Sequence, residues 1–273
     1  MASSGGHWVK IAQGDIGAMV FVPKGKTVEQ VTIGRKPAGG GWPPSLNAVQ
    51  EVKGLGGSTG AKLVQDENGN LYVMKKGASQ AHIQSESSAD KLYKEMGVDV
   101  PDHRMYGNTK LARYVEGQTL QQAQTNDPAA YNSAIKRLQD NFAADALLAN
   151  WDVIGLNKDN ILIDKKGKVW RIDNGGALAY RAQGAKKSAA GWNNNPTAIF
   201  SMRKQGVAGS VFGKMSWNQV AASIDKLPSK IGISNSSKIG ARLAKLKDLS
   251  SLIKSGMPEA DIENYMTALW SGG

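Results

Sequence analysis

The stretch NWDVIGLNKDNILIDKKGKVWRIDNGG, residues 150–176, constrains the fold more than any other part of the chain. Two short apolar runs, NILID and VWRID, flank the turn sequence KKGK, a pattern that predicts a β-hairpin. Asp152 follows a run of helix formers and opens the loop before the hairpin. Asn160 opens the first strand, and Asp173 closes the second just before a glycine pair. Antiparallel pairing places the start of one strand beside the end of the next, so Asn160 and Asp173 are expected at one mouth of the hairpin. A carboxylate and an amide oxygen there make a hard-oxygen set suited to Mg2+. Asp152, on the preceding loop, is placed to orient a nucleophile or accept its proton.

Composition removes several other chemistries. The chain has 273 residues, 41% of them hydrophobic, enough for one large domain or two lobes. With no cysteine, disulfides, thiolate zinc sites and thiol catalysis are excluded. His7, His82 and His103 show no metal-ligand spacing. No apolar run is long enough for a membrane span. The start, MASSGGHWVK, lacks the apolar segment of a signal peptide and reads as a Ser/Gly-rich arm. The net charge of +11 is uneven: from Arg181 onward there are 13 Lys and Arg against 5 Asp and Glu, leaving +8 in that third. Such a bias suits an acidic protein partner or a phosphorylated ligand, or it is a solubilising surface. The lysines are dispersed and not interleaved with aromatics, which disfavours nucleic acid as the partner.

The order of elements is β first and helical second. AMVFVP and EQVTIGR read as strands joined by KGK, and KPAGGGWPP, residues 36–44, reads as a linker. Residues 47–77 read as strand, glycine loop, strand, turn at DENGN and strand. A helix follows over SQAHIQSESSADKLYKEMG, with Ile83, Leu92, Tyr93 and Met96 on one face and Gly97 as its stop. A second hairpin is expected around MYGNTKLARYVEG. Beyond it the chain turns helical, with Asp127 as an N-cap and Pro128 at the first helical position. Further helices are expected over SWNQVAASIDKL, SSKIGARLAKLKDLSSLIKSG and PEADIENYMTALW. The domains so drawn are an N-terminal arm (1–46), a β-rich lobe (47–117) and a helical lobe (118–273).

Three features before the hairpin complete a set. In GLGGSTG, the residues Gly54, Gly56, Gly57, Ser58, Thr59 and Gly60 allow a close backbone approach to phosphate, although such a run alone is commonly just a turn. It is no Walker loop, because no G-K-[ST] follows. Alternation along YVMKK puts Lys75 on a face with Val73, which favours it over Lys76 as an inward lysine. Glu86, on the next helix, is the candidate counter-charge, with Glu95 as its rival.

Taken in order, these residues resemble a divergent protein-kinase-like fold, of the HipA-type, actin-fragmin-kinase-type and phosphoinositide-kinase branches. The resemblance spans roughly residues 50–255. It implies an α+β, two-lobed protein-kinase-like architecture and an ATP- and Mg2+-dependent phosphotransferase, with a protein Ser/Thr substrate favoured. It implies catalytic roles for Asp152, Lys75 and Glu86, and metal binding by Asn160 and Asp173. Nucleotide contacts are implied at the glycine loop, at Lys75 and at a connecting strand with Leu111, Arg113, Tyr114 and Val115. The chain departs from ordinary protein kinases around Asp152 and Asp173, and no A-P-E signature follows. Trp151 stands where an arginine precedes the catalytic aspartate, DNGG replaces D-F-G, and Asn157 holds the ordinary spacing that makes it a rival to Asn160. A nucleotide-binding pseudokinase, a nucleotidyl transferase and a lipid or small-molecule kinase are the other readings. The composition fits a soluble secreted bacterial effector, a phage protein or a cytosolic protein alike.

Overall fold

Alternating apolar residues build the N-terminal region as sheet, and helical periodicity builds the C-terminal part, so the fold is mixed α+β. The structure, a computed structural model, describes residues 6–13, 16–23, 41–56, 60–231 and 237–271. Gly57, Ser58 and Thr59 of the glycine loop, the strand expected over EQVTIGR and residues 36–40 of the expected linker lie outside the described residues. The chain divides into two compact units, Met1–Lys76 with Asp102–Tyr114, and Gly77–Pro101 with Val115–Gly273.

The first unit contains an antiparallel hairpin of β1 (Gly6–Gln13) and β2 (Ile16–Pro23). The β-rich run from Trp8 to Ile11 pairs with AMVF, Trp8 opposite Phe21. Next come β3 (Val49–Gly56), β4 (Ala61–Asp66), β5 (Leu71–Lys75), β6 (His103–Tyr106) and β7 (Thr109–Arg113). They form one antiparallel sheet in the order β3-β4-β5-β7-β6. The turn expected at DENGN is built by Asp66, whose Oδ1 accepts from the backbone N–H of Asn68 and Asn70, each at 2.9 Å. Val64, Tyr72 and Leu111 make this unit's small core.

The second unit begins with α1 (Gln80–Glu95). Ser79 caps it by accepting from His82 N–H at 3.1 Å, and Gly97, at φ +73, ends it. Ile83, Tyr93 and Met96 are buried, as their helical spacing predicts, and Leu92 is half-buried. A short strand β8 (Gly117–Thr119) leads into α2 (Leu120–Asn126), α3 (Pro128–Asp140) and α4 (Phe142–Leu147). Asp127 caps α3, accepting from Ala130 N–H at 3.0 Å, with Pro128 at the first position. The expected hairpin forms as β9 (Ile161–Asp164) and β10 (Val169–Arg171), and β8 adds to the other edge of β9. That addition needs glycine at 117, where a Cβ would fall 2.5 Å from the Ile163 carbonyl oxygen. Among the described residues five helices follow: α5 (Ala198–Lys204), α6 (Gly206–Phe212), α7 (Trp217–Asp225), α8 (Ser237–Lys254) and α9 (Glu259–Ser271). Their apolar faces join α3 and α4 in one large core. Among the described residues, no helix is long and apolar enough to cross a membrane.

Candidate active site

The β9–β10 hairpin brings the ends of its strands together. Arg171 pairs with Ile161, and Ile172 N–H donates to the Asn160 carbonyl at 3.0 Å. Asn160 and Asp173 therefore flank one mouth. Asn160 also reaches the preceding turn: its Nδ2 donates to the Asp152 carbonyl at 2.7 Å and to Asp152 Oδ2 at 3.3 Å. With the amide nitrogen committed to Asp152, the Asn160 side-chain oxygen is the atom left to hold a metal ion. Asn157, the rival by spacing, is exposed and makes none of these contacts. Gly155, at φ +75, allows the close turn, because a Cβ there would strike the Asp159 carboxylate.

Asp173 Oδ1 accepts from Gly175 N–H at 3.1 Å. A Cβ at Gly175 would lie 3.0 Å from His82 Nε2, 3.2 Å from Glu86 Oε2 and 3.3 Å from Asp173 Oδ1, so these three side chains surround one point. A Cβ at 175 would require these side chains to give way by a few tenths of an ångström. Glu86 is buried there, whereas Glu95 is exposed. His82 fixes the junction. Ala78 N–H donates to its Nδ1 at 3.2 Å, which leaves Nε2 as the donor to the Gly175 carbonyl at 3.0 Å.

A buried polar chain lies beneath both loops. Asp145 on α4 receives two bonds from Arg171 at 2.7 Å and one from Tyr93 Oη at 2.9 Å. Asn150 Nδ2 donates to Tyr93 Oη at 3.1 Å and to Asn174 Oδ1 at 3.2 Å, and Asn174 Nδ2 donates to Asp90 at 2.8 Å. Asn150 stands two residues before Asp152, while Arg171 and Asn174 bracket Asp173. One network therefore fixes both loops. Burial raises the Asp145 carboxyl despite Arg171, and the Tyr93 phenol is raised mainly by burial and then by Asp145. Burial opposes the Arg171 charge, but Asp145 outweighs it and raises the guanidinium. The two-pronged 2.7 Å contact fits an ionised pair.

Lys187 adds a staple. Its ammonium donates to the carbonyls of Ala149, Gly176 and Leu178, each at 2.7 Å, and lies 5.1 Å from the Trp151 ring centre. Three donors meet three acceptors, tying the turn before Asp152 to the loop after Asp173. Burial, then the charges of Arg242 and Arg181, push the Lys187 pKa down to about 7. Arg242, on α8, donates to the Ala146 and Leu147 carbonyls at the end of α4, at 2.9 and 2.7 Å. A cation at a helix C-terminus is favourable, although burial lowers its pKa to about 9. His82, Asn150, Asn174, Lys187 and Arg242 carry no sequence signature of these roles.

Lys75, Gly54, Gly56 and Gly60 belong to the first unit. Lys75 is buried and Lys76 exposed, although burial along β5 does not alternate: Tyr72 and Lys75 are buried, and Val73 and Met74 are half-buried. Gly56 and Gly60 take φ of +77 and +61, which alone accounts for glycine at both positions. Leu111 is fully buried in the small core, and Arg113 is engaged by Tyr72 Oη at 3.0 Å and the Gly41 carbonyl at 2.9 Å. The backbone N–H groups of Arg113 and Tyr114 bond Asp102 and Leu71. Side-chain recognition of a base by Leu111 or Arg113 would therefore have to displace existing packing. Val115, half-buried, belongs to the second unit.

No family model matches the chain. No curated protein matches it either. Among solved structures, the Helicobacter pylori proinflammatory kinase CtkA aligns over 81% of this chain and 96% of its own, with 14% identity and a TM-score of 0.39. A likeness at that score carries no argument about fold or function.

Proposed function

We propose that the protein is an ATP- and Mg2+-dependent phosphotransferase acting on a hydroxyl group. The observation that carries this reading is the Asn160 amide bonded to Asp152 at the mouth of the hairpin that ends at Asp173. A proton acceptor and two hard-oxygen ligands on adjoining loops are what phosphoryl transfer requires. Among the described residues, no group of three or more His, Cys, Asp and Glu could hold a metal alone. An amide oxygen with one carboxylate nevertheless fits Mg2+, which takes few protein ligands and fills its shell with phosphate oxygens and water. Mg2+ held there would offset the charge of the phosphates.

In this reading Asp152 orients the acceptor hydroxyl and receives its proton as the bond to the γ-phosphorus forms. The bond from that phosphorus to the bridging oxygen breaks, and ADP leaves with the electron pair. The sequence resemblance implies phosphate contacts for Lys75 and the glycine loop, and a counter-charge role for Glu86. These roles for Lys75, for the loop and for the strand at Leu111 to Val115 rest on the sequence resemblance.

The test uses ATP labelled at the γ- or the α-phosphate, with Mg2+. Transfer of the γ-label is expected from the wild type. Asp152→Ala should bind ATP normally yet turn over about 10²- to 10⁴-fold more slowly. Transfer of the α-label instead would mark a nucleotidyl transferase. ATP-induced thermal stabilisation without any transfer would mark a pseudokinase.

A further inference from the structure

A cavity of about 550 Å3 opens beside Asp152 in the second unit. That volume lies in the range of about 300–1,000 Å3 usual for ligand pockets. Its apolar wall comes from Trp151, Ile154 and Val207, and Leu156 stands beside them with 84% of its surface exposed. A leucine left in solvent at the edge of an apolar-walled cavity suits a macromolecular segment better than a small polar metabolite.

The polar side of the cavity is cationic. Arg181 lines it, exposed, and its guanidinium has no hydrogen-bond or ion-pair partner among the described residues. Lys187 lines it too, but its three donors are consumed by carbonyls. The two charges lie close enough that Arg181 helps depress Lys187. Asp152 is the only carboxylate among the lining residues. An anionic group entering this space would therefore meet the Arg181 guanidinium, whose planar fork suits a carboxylate.

We propose, resting on the reading of Asp152 as the residue that receives the acceptor hydroxyl, that the cavity binds a Ser- or Thr-bearing peptide segment with an acidic and an apolar neighbour. The acidic side chain pairs with Arg181, and the apolar side chain packs on Leu156 and Val207. The acidic partner suggested by the basic C-terminal third thus becomes a specific sequence preference at one position.

Binding tests this without turnover. Fluorescein-labelled peptides with Leu-Ser-Glu or Leu-Ser-Lys at their centre are titrated by anisotropy into the full chain at low salt. The wild type should bind the glutamate peptide about tenfold more tightly, and Arg181→Glu should reverse the order. Leu156→Ser should weaken both peptides alike. Both positions are exposed, so loss of folding is not expected, and circular dichroism of each variant checks it. Equal affinity for the two peptides, no binding of either, or a preference unchanged in Arg181→Glu overturns the proposal. So does displacement of the peptide by equimolar inorganic phosphate, which would assign the cavity to a small anion. Asp173→Ala should keep the peptide preference. If phosphate transfer is absent while the preference holds, the catalytic reading fails and this one stands. If transfer is present while the preference is absent, the catalytic reading stands and this one fails.

Discussion

The two units hold polar side chains in place by contrasting means. In the second, the chain from Asp90 through Asn174, Asn150, Tyr93 and Asp145 to Arg171 is buried, and Asp145 and Arg171 expose 0% and 2% of their side chains. In the first, Tyr72 Oη donates to Asp66 at 2.9 Å, while Arg113 stacks 5.0 Å from the Tyr72 ring centre and 4.7 Å from that of Trp42. Only one end of that cluster is open: the Tyr72–Asp66 bond is buried, and the bond from Arg113 to Gly41 is exposed to solvent. Water can replace a lost partner at the exposed Arg113 end of that cluster and cannot in the second unit's network. Loss of a partner should therefore cost far more where the loops of Asp152 and Asp173 are held.

The largest effect is expected at Asp145. Asp145→Asn leaves Arg171 charged and buried, and urea unfolding should show a loss of about 3–5 kcal/mol. A loss under about 1 kcal/mol would mean that the buried network does not carry the loops. Next comes Lys187, which is sensitive to pH. Below pH 7 it is charged both folded and unfolded, and the folded state bears the full desolvation cost. Between pH 7 and the unfolded value near 10.4 the folded chain has released a proton that the unfolded chain keeps, so stability rises with pH in that window. Between about pH 6.5 and 9.5 the wild type should gain about 2–3 kcal/mol relative to Lys187→Met. Parallel pH curves for the two proteins would contradict the buried ammonium. In the first unit's cluster, Tyr72→Phe should cost about 1 kcal/mol in the same assay, because Asp66 Oδ2 keeps the Asn70 amide as a donor at 2.8 Å. Burial, then the bond to Asp66, pushes the Tyr72 phenol up to about 12, so no titration near neutral pH should accompany it. Smallest is the exposed pair of Lys62 and Glu51 at 2.6 Å, where Lys62→Ala should change stability by about 0–1 kcal/mol. A larger loss there than at Tyr72 would break the ranking by burial.

Local signals are legible in the sequence wherever the partner lies within a few residues. The turn of Asp66, the cap of Asp127 and the β9–β10 hairpin follow from short-range chemistry, and so does the adjacency of Asn160 and Asp173. Lys75 ends the strand β5 buried and Lys76 lies just beyond it, exposed, although burial along the strand does not alternate. The network is not legible, because its partners are far apart in the chain: Asn174 meets Asp90, and Arg242 meets Ala146. Lys187 reads like its neighbour Lys186, and only the carbonyls gathered around its ammonium set it apart. His82 has no ligand-like spacing, and its ring bonds the backbone of Ala78 and Gly175. The strand β8, Gly-Gln-Thr, has no β-branched run and exists through its pairing with β9. Helices α5 and α6 escape a reading by periodicity because Gly206, at φ +59, interrupts their common pattern.

The central claim is that Asp173, with Asn160, holds the ion that phosphoryl transfer needs, while Asp152 receives the proton. Its most direct test is γ-phosphate transfer by the wild type, Asp173→Ala and Asp173→Glu, alongside Mn2+ binding followed by electron paramagnetic resonance in the presence of ATP. Asp173→Ala should lose both transfer and bound Mn2+, and Asp173→Glu should recover part of the metal signal. Undiminished transfer by Asp173→Ala would contradict the claim.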